Sequence, residues 1–147
     1  DIICIRPATA CGLSERLRLD LTVNKLTFDA FYKKKIFVNG GSQIRPNIHI
    51  KDLISAIDCL TFTKKKLRHN IFNAGFENLT ISEIANKIKK RTGAKIMINK
   101  NKDIRSYRQD SSRLLKFGFK PKYNVCLAIN ELIHFFNSKS KFNFTSC

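Results

Sequence analysis

The sequence predicts an α/β fold. Short apolar runs of strand length alternate with segments whose apolar residues recur at helical spacing. Caps, glycines and prolines fall at the boundaries between them. The chain has 147 residues, 43% of them hydrophobic, which suits one globular domain or one part of a larger one.

Residues 2–6 (Ile-Ile-Cys-Ile-Arg) read as a strand stopped by Pro7 and buried on both faces, and 8–18 as a loop containing Gly12. Asp20 to Lys34 reads as a helix: Leu19, Val23, Leu26 and Ala30 share a face, and lysines close its C-terminal end, where cations suit the dipole. A short strand at 36–38, a turn at 39–42 and an extended piece at 44–50 around Pro46 follow. Residues 52–63 are helical, with Leu53, Ala56, Ile57 and Leu60 on one side. Residues 70–74 form a second strand buried on both faces, ended by Gly75. Thr80-Ile81-Ser82-Glu83 is a capping box that starts a helix ending at Gly93. A strand at 95–98 and a polar loop at 99–109 come next. Asp110 is expected to cap a short helix stopped by Gly118, and Asn124 the last helix, with Val125, Ala128, Ile129, Leu132 and Phe136 on one face. From Ser138 the chain is a polar tail.

The formal net charge is +17, with 19 lysines and 9 arginines. The cations fall in separate clusters, Lys33–Lys35, Lys64–Lys66 and Lys87–Arg91, near the ends of apolar-periodic segments. Abundant Lys, Ile, Asn and Phe also match an AT-rich coding bias. The phenylalanines fall mostly on faces expected to be buried. The interleaving of aromatic and basic residues that marks stacking platforms is therefore missing, and nucleic acid is not the expected partner. No apolar run approaches the ~18–20 residues that span a membrane, and no basic segment precedes the first apolar run, so neither a membrane nor a leader is expected. The five cysteines are odd in number, lack C-x-x-C spacing and do not cluster with the three histidines; no metal site is expected, and reduced thiols fit a cytoplasmic location. The chain opens on Asp1 and directly on a strand-like run, as a piece cut from a longer chain would.

Catalytic constellations are thin. There is no recognisable Ser-His-Asp spacing, no H-E-x-x-H and no glycine-rich phosphate loop. Asp52 and Asp58 fall on different sides of one helix and read as solvated; His49, between two isoleucines, reads as half buried and hydrogen-bonded. Arg45, before Pro46, and Arg105 and Arg108, around Tyr107, are the better candidates, because a planar guanidinium grips phosphate oxygens bidentately.

Five stretches in register point further. Arg6-Pro7-Ala8-Thr9-Ala10-Cys11-Gly12 resembles the R-P-A-T-V-x-G segment of the extended short-chain dehydrogenase/reductases, and more narrowly of the NAD-dependent nucleotide-sugar epimerases and dehydratases. Arg18 to Asn24, Gly40 to Asp52, Ile71 to Gly75 leading into Thr80 to Ala85, and Arg105 to Arg108 before Asp110 match in the same order, over about residues 2–135.

The resemblance implies that residues 1–137 are the C-terminal, substrate-binding part of such an enzyme: the last strands of a Rossmann-type sheet plus a small substrate-binding subdomain. The tail would be 138–147. NAD would be bound mainly by an N-terminal half outside this chain. The glycine-rich dinucleotide fingerprint is absent from the sequence, and so is the Y-x-x-x-K pair, because Tyr32, Tyr107 and Tyr123 are followed four residues on by Ile36, Ser111 and Leu127. No catalytic residue is therefore assigned. By the same resemblance Ala8 lies beside the nicotinamide and Thr9 beside the sugar or its phosphate. Asn24 contacts the diphosphate, Leu26 lies near the base, and Phe37 to Asn39 run beside the nucleobase. Arg45 binds the diphosphate and Arg105 is a second anchor. Cys11 replaces a commoner tyrosine or valine. The implied partners are a nucleotide-sugar, the N-terminal half and, for the complete enzyme, a second copy in a homodimer. Two rivals are a stand-alone basic module that binds RNA or another polyanion, and a split remnant acting only with a separate N-terminal chain.

Overall fold

The computed structural model describes residues 2–64, 70–99 and 105–139. Most of the Lys64–Lys66 cluster, the middle of the 99–109 loop, and the tail from residue 140 lie outside the described residues. In chain order the elements are β1 (Cys4–Pro7), β2 (Thr9–Cys11), α1 (Thr22–Lys33), β3 (Lys35–Asn39), β4 (Ile44–His49), α2 (Ile50–Thr61), β5 (Ile71–Ala74), β6 (Glu77–Thr80), α3 (Ile81–Thr92), β7 (Lys95–Asn99), α4 (Ser112–Phe117) and α5 (Val125–Ser138).

Three small ladders organise the chain. β1 runs parallel to β5, with Cys4 opposite Ile71 and Pro7 opposite Ala74. β4 is the centre of the second ladder, parallel to β2 and antiparallel to β6. β3 runs parallel to β7 from Lys35–Lys95 to Asn39–Asn99. At Ala8 the chain leaves β5 and turns to pair with β4; the Ala8 N–H donates to the Ala74 carbonyl at 2.8 Å.

The helices have local causes. In α3 the Thr80 hydroxyl accepts from the Glu83 N–H at 3.1 Å while the Glu83 carboxylate accepts from the Thr80 N–H at 2.7 Å, so the capping box is complete. Gly93, at φ +69°, ends the helix. Asn124 caps α5 by accepting from the Leu127 N–H at 2.9 Å. These helices and α1 bury Val23, Ala30, Ile84, Ile88 and Ile129 against Ile36 and Val38 of β3. A second core joins Ile48 and the inner side of α2 (Ala56, Leu60) to Phe72, Ala74 and Leu114.

Several expectations change. Residues 9–11 are a strand, not part of a loop, and Glu77–Thr80 is a strand that periodicity does not reveal; both are held by β4, a partner distant in sequence. The strands at 2–6 and 70–74 are not buried on both faces. β1 is largely exposed, and β5 alternates, with Phe72 and Ala74 inside and Ile71 facing out. Ile57 also faces solvent, at 44% exposure. Helix α1 begins at Thr22 without a side-chain cap. Asp110 stands one residue ahead of the α4 N-cap, Ser111, and accepts from the Ser112 N–H at 2.9 Å.

Asp52 is the clearest reversal. It is 1% exposed, not solvated, and its carboxylate accepts from the Lys122 N–H at 3.0 Å and the Tyr123 N–H at 2.9 Å. These are the backbone donors just ahead of α5, so Asp52 ties the start of α2 to the start of the last helix. His49 is fully buried rather than half buried.

Candidate functional site

β4 and the segment from Arg105 to Gln109 build the site. The segment lies along the start of β4: the Ile44 N–H donates to the Ser106 hydroxyl at 3.0 Å, and the Tyr107 N–H donates to the Ile44 carbonyl at 3.3 Å. Half-buried Arg45 crosses the join. Its guanidinium donates to the Ile44 carbonyl at 3.0 Å and to the Arg105 carbonyl, and lies 5.0 Å from the centre of the Tyr107 ring. The structure thus brings Arg45 and Arg105 together although 60 residues separate them. The guanidinium is planar and braced, a geometry that suits an anion with two oxygens.

Asn39 sits at the other end of the same turn. Its carbonyl accepts from Gln43 Nε2 at 2.6 Å, and Gln43 Oε1 accepts from the Gly41 N–H at 2.6 Å. Its side chain accepts from Asn99 Nδ2 at 3.1 Å, closing the C-terminal ends of β3 and β7. Gly41 is at φ +117°, and a Cβ there would stand 2.4 Å from the Ser82 hydroxyl, so this turn needs glycine.

Thr9 pairs with Asn47, two residues beyond Arg45 on β4. Ala8 lies where a Cβ on Gly75 would come within 2.6 Å of its own Cβ, so backbone and side chain are in close approach. Two further residues in this region were not singled out from the sequence. Asn47 is 1% exposed and its Oδ1 has no hydrogen-bond partner among the described residues; the same holds for Gln109 Oε1. Gln109 Nε2 donates to the Arg6 carbonyl at 2.9 Å. Asn47, between Pro46 and Ile48, and Gln109, between Arg108 and Asp110, are amides with no periodic signal that marks them as buried.

Asn24 and Leu26 are placed otherwise. Leu26 is 6% exposed and belongs to the core under α1. Asn24 accepts from the Gly12 N–H at 3.1 Å and donates to the Arg18 carbonyl at 3.0 Å, so it clamps the loop after β2.

A cluster around His49 also lay beyond the sequence signal. His49 Nδ1 accepts from the Lys51 N–H at 3.2 Å, which caps α2, and Nε2 faces Glu131 at 3.3 Å. The Glu131 carboxylate holds Lys51 Nζ at 2.5 Å, and the His49 ring stacks on Tyr123 at 4.9 Å. Burial pushes the imidazole pKa down, against the pull of Glu131. Burial, helped by Glu77 and Glu131, drives the neighbouring Cys11 thiol up to about 12, so it is no nucleophile.

On the outward side of β1 and β5, Arg6, Ile71, Asn73, Asp110, Ser112 and Arg113 line a cleft of about 260 Å³. Asn73 Nδ2 donates to the Asp110 carbonyl at 2.9 Å, and Arg113 to the Ile71 carbonyl at 2.9 Å. No group of three or more metal-ligating side chains occurs among the described residues.

No family model matches the chain. Solved structures do. The UDP-glucuronic acid 4-epimerase from Bacillus cereus, in complex with UDP-glucuronic acid and NAD, matches at a TM-score of 0.78 and 21% identity over 93% of this chain and 45% of that one. The UDP-N-acetylglucosamine 4-epimerase from Bacillus cereus matches at 0.72 and 23% identity, over 97% and 47%. An NAD-dependent NDP-hexosamine 5,6-dehydratase of tunicamycin biosynthesis matches at 0.76 and 16%, over 92% and 45%. The fold is α/β and matches part of the fold of each of these enzymes. The chain spans under half the length of each of these enzymes.

Proposed function

We propose that this chain is the C-terminal, nucleotide-sugar-binding portion of an NAD-dependent epimerase or dehydratase. The observation that carries the reading is the likeness of nearly the whole chain to under half of enzymes solved with such ligands. The hydrogen bond from the Arg45 guanidinium to the Arg105 carbonyl supports it, since it brings the backbone of a second arginine to the start of β4.

A nucleotide diphosphate carries about two negative charges at neutral pH, and each charge-assisted hydrogen bond from arginine is worth roughly 1.5–3 kcal/mol in a partly closed site. Arg45, with Arg105 from the adjoining segment, would hold the diphosphate. Asn39 would border the nucleoside and Thr9 the sugar. Asn24 and Leu26 would act from behind, by fixing the loop after Gly12.

The residues present fit only one edge of a dinucleotide. Ala8 is small enough for close approach, and Gln109 Oε1 is a buried acceptor without a partner among the described residues. When bound, NAD supplies reversible hydride acceptance from a sugar carbon. The residues of this chain would position the sugar-nucleotide against it and exclude water. The general acid/base would come from the N-terminal half, and the complete enzyme would be a cytoplasmic homodimer.

The test is calorimetric titration of UDP-sugars into the chain, alone and joined to a dinucleotide-binding half. Saturable binding by the joined protein supports the reading. Binding of NAD without any measurable binding of a UDP-sugar or of another nucleotide-sugar counts against it.

A further inference from the structure

The open side of the α3–α5 pair carries a cleft that the proposed sugar-nucleotide site does not use. Lys87 lies against Cys126, Nζ to Sγ at 3.6 Å, and Arg91 lies against Asn130. The contacts advance by four residues on each helix, so the two helices run parallel. Near their C-terminal ends Arg91, Asn130, Ile133, His134 and Asn137 line a cleft of about 300 Å³. Arg91 stands ten residues beyond Ile81, roughly 15 Å along α3 from the end of the helix that meets β4.

The donors in the cleft are set by bonds already made. The Arg91 guanidinium donates through Nε to Asn130 Oδ1 at 2.5 Å and through Nη1 to the Lys87 carbonyl at 3.1 Å. These bonds brace it and leave both N–H groups of Nη2 without a partner among the described residues. Because its Oδ1 is taken, Asn130 keeps Nδ2, a donor, for the cleft. His134 lies four residues further along α5 and Asn137 seven, on the same side of the helix. Neither side chain is bonded to a described residue.

Helix dipoles account for cations in the last turn of α3. They do not account for a row of polar side chains on α5, whose last turn has no cation. No carboxylate lines the cleft, and Glu131, the acid of α5, is turned to His49 and Lys51. An anion therefore meets no like charge there. The volume is at the low end for ligand sites, so the ligand is small. From Asn130 to Asn137 the helix axis rises roughly 10 Å, more than one tetrahedral anion spans, so the far end calls for a neutral polar group joined to the anion.

We propose that this cleft binds a small phosphomonoester with a hydroxylated carbon chain. Arg91 Nη2, Asn130 Nδ2 and His134 would hold phosphate oxygens. Half-buried Ile133 would lie under the carbon chain, and Asn137 would take a hydroxyl. A braced guanidinium with donors still open grips phosphate oxygens through charge-assisted bonds. Donors drawn from two helices suit the spread oxygens of a tetrahedral phosphate better than the planar pair of a carboxylate. The inference does not rest on the sugar-nucleotide reading, because none of these residues belongs to that site.

The experiment is arginine footprinting of the 147-residue chain, with phenylglyoxal modification read peptide by peptide in the mass spectrometer and glycerol 3-phosphate as the probe. With a Kd on the order of 1 mM, about 10 mM probe should slow modification of Arg91 roughly tenfold and leave Arg18 and Arg113 within about twofold. Glycerol, and acetate at matched ionic strength, should not protect Arg91, and inorganic phosphate should protect it no better than the ester. His134→Ala and Asn137→Ala, both at exposed positions of α5, should each weaken the probe's protection about threefold and leave the unprotected rate at Arg91 unchanged. The footprint on the unaltered chain needs no variant to fold. Equal protection of Arg18 or Arg113, protection by acetate, or stronger protection by inorganic phosphate than by the ester would overturn the proposal. Protection confined to Arg45 would also overturn it, and would leave the sugar-nucleotide reading standing. Loss of UDP-sugar binding in the joined protein would leave protection of Arg91 as support for this cleft.

Discussion

Arg45 is the residue on which the proposed chemistry turns. Its guanidinium is braced by the Ile44 and Arg105 carbonyls and by the Tyr107 ring, so little side-chain freedom is left to lose on binding. In the complete enzyme, Arg45→Ala should weaken nucleotide-sugar binding by about 2–3 kcal/mol, a factor of roughly 30–150, with NAD affinity changed far less. Calorimetry on both ligands checks it, and equal substrate affinity in variant and parent would refute the assignment. Arg45→Lys should not restore binding, because an ammonium cannot span both the carbonyl brace and a phosphate. His49 allows a test at the same scale. Its pKa is lowered by burial, so the folded state binds fewer protons than the unfolded one between the two values. The stability it contributes is complete above the unfolded value of about 6.5 and is lost as pH falls toward the lowered folded value. His49→Asn keeps an acceptor at the α2 N-cap and removes the titration. Urea midpoints measured from pH 7.5 down to pH 5 should therefore fall for the parent and fall less steeply for the variant.

At the scale of elements, α1 and α3 show two ways of ending a helix. α3 ends at Gly93, which adopts φ +69° at no steric cost, with open space where a Cβ would be. α1 ends at Lys34, the one described non-glycine residue with positive φ, at +54°. Left-handed backbone costs a residue with a Cβ about 1 kcal/mol. Lys34→Gly should then stabilise the protein by up to ~1 kcal/mol, offset in part by the greater freedom of glycine in the unfolded chain. At the other end of α3, Thr80→Ala breaks the capping box and should cost ~1 kcal/mol. Chemical denaturation of the single variants and the pair checks both. The two changes lie at different helix ends, so their effects should add within about 0.5 kcal/mol, and a larger interaction would refute the independence of the two ends.

For the whole molecule, the open faces govern behaviour. Among the described residues β1 has a neighbouring strand on one side alone, and its exposed face continues across Ile71. Ile54, Ile57 and Phe62 add apolar surface on and after α2, with Phe62 80% exposed. Unpaired strand edges and contiguous apolar surface are templates for association. The chain on its own should show native-like helix content, bind an apolar-surface dye and self-associate in sizing chromatography, despite a charge of +17 that favours dispersion. Co-expression with a complementary N-terminal half should suppress both. A sharp monomer with cooperative unfolding and no dye binding would mean that these faces need no cover.

The sequence by itself determined the alternation of strands and helices, the capping box of α3, the Asn124 cap and the buried face of α5, because those rest on hydrogen bonds and periodicities spanning a few residues. It also singled out Arg45 and Arg105, through residue type and a family resemblance in register. Tertiary structure alone decided the rest. β2 and β6, of three and four residues, have no period long enough to read and exist through β4. Asp52 looks solvated until the turn before α5 brings two N–H donors onto it. Ile57 looks like core beside Leu53, Ala56 and Leu60 until packing leaves it 44% exposed, because what covers each side of a helix is set by its neighbours and not by the residues of the helix.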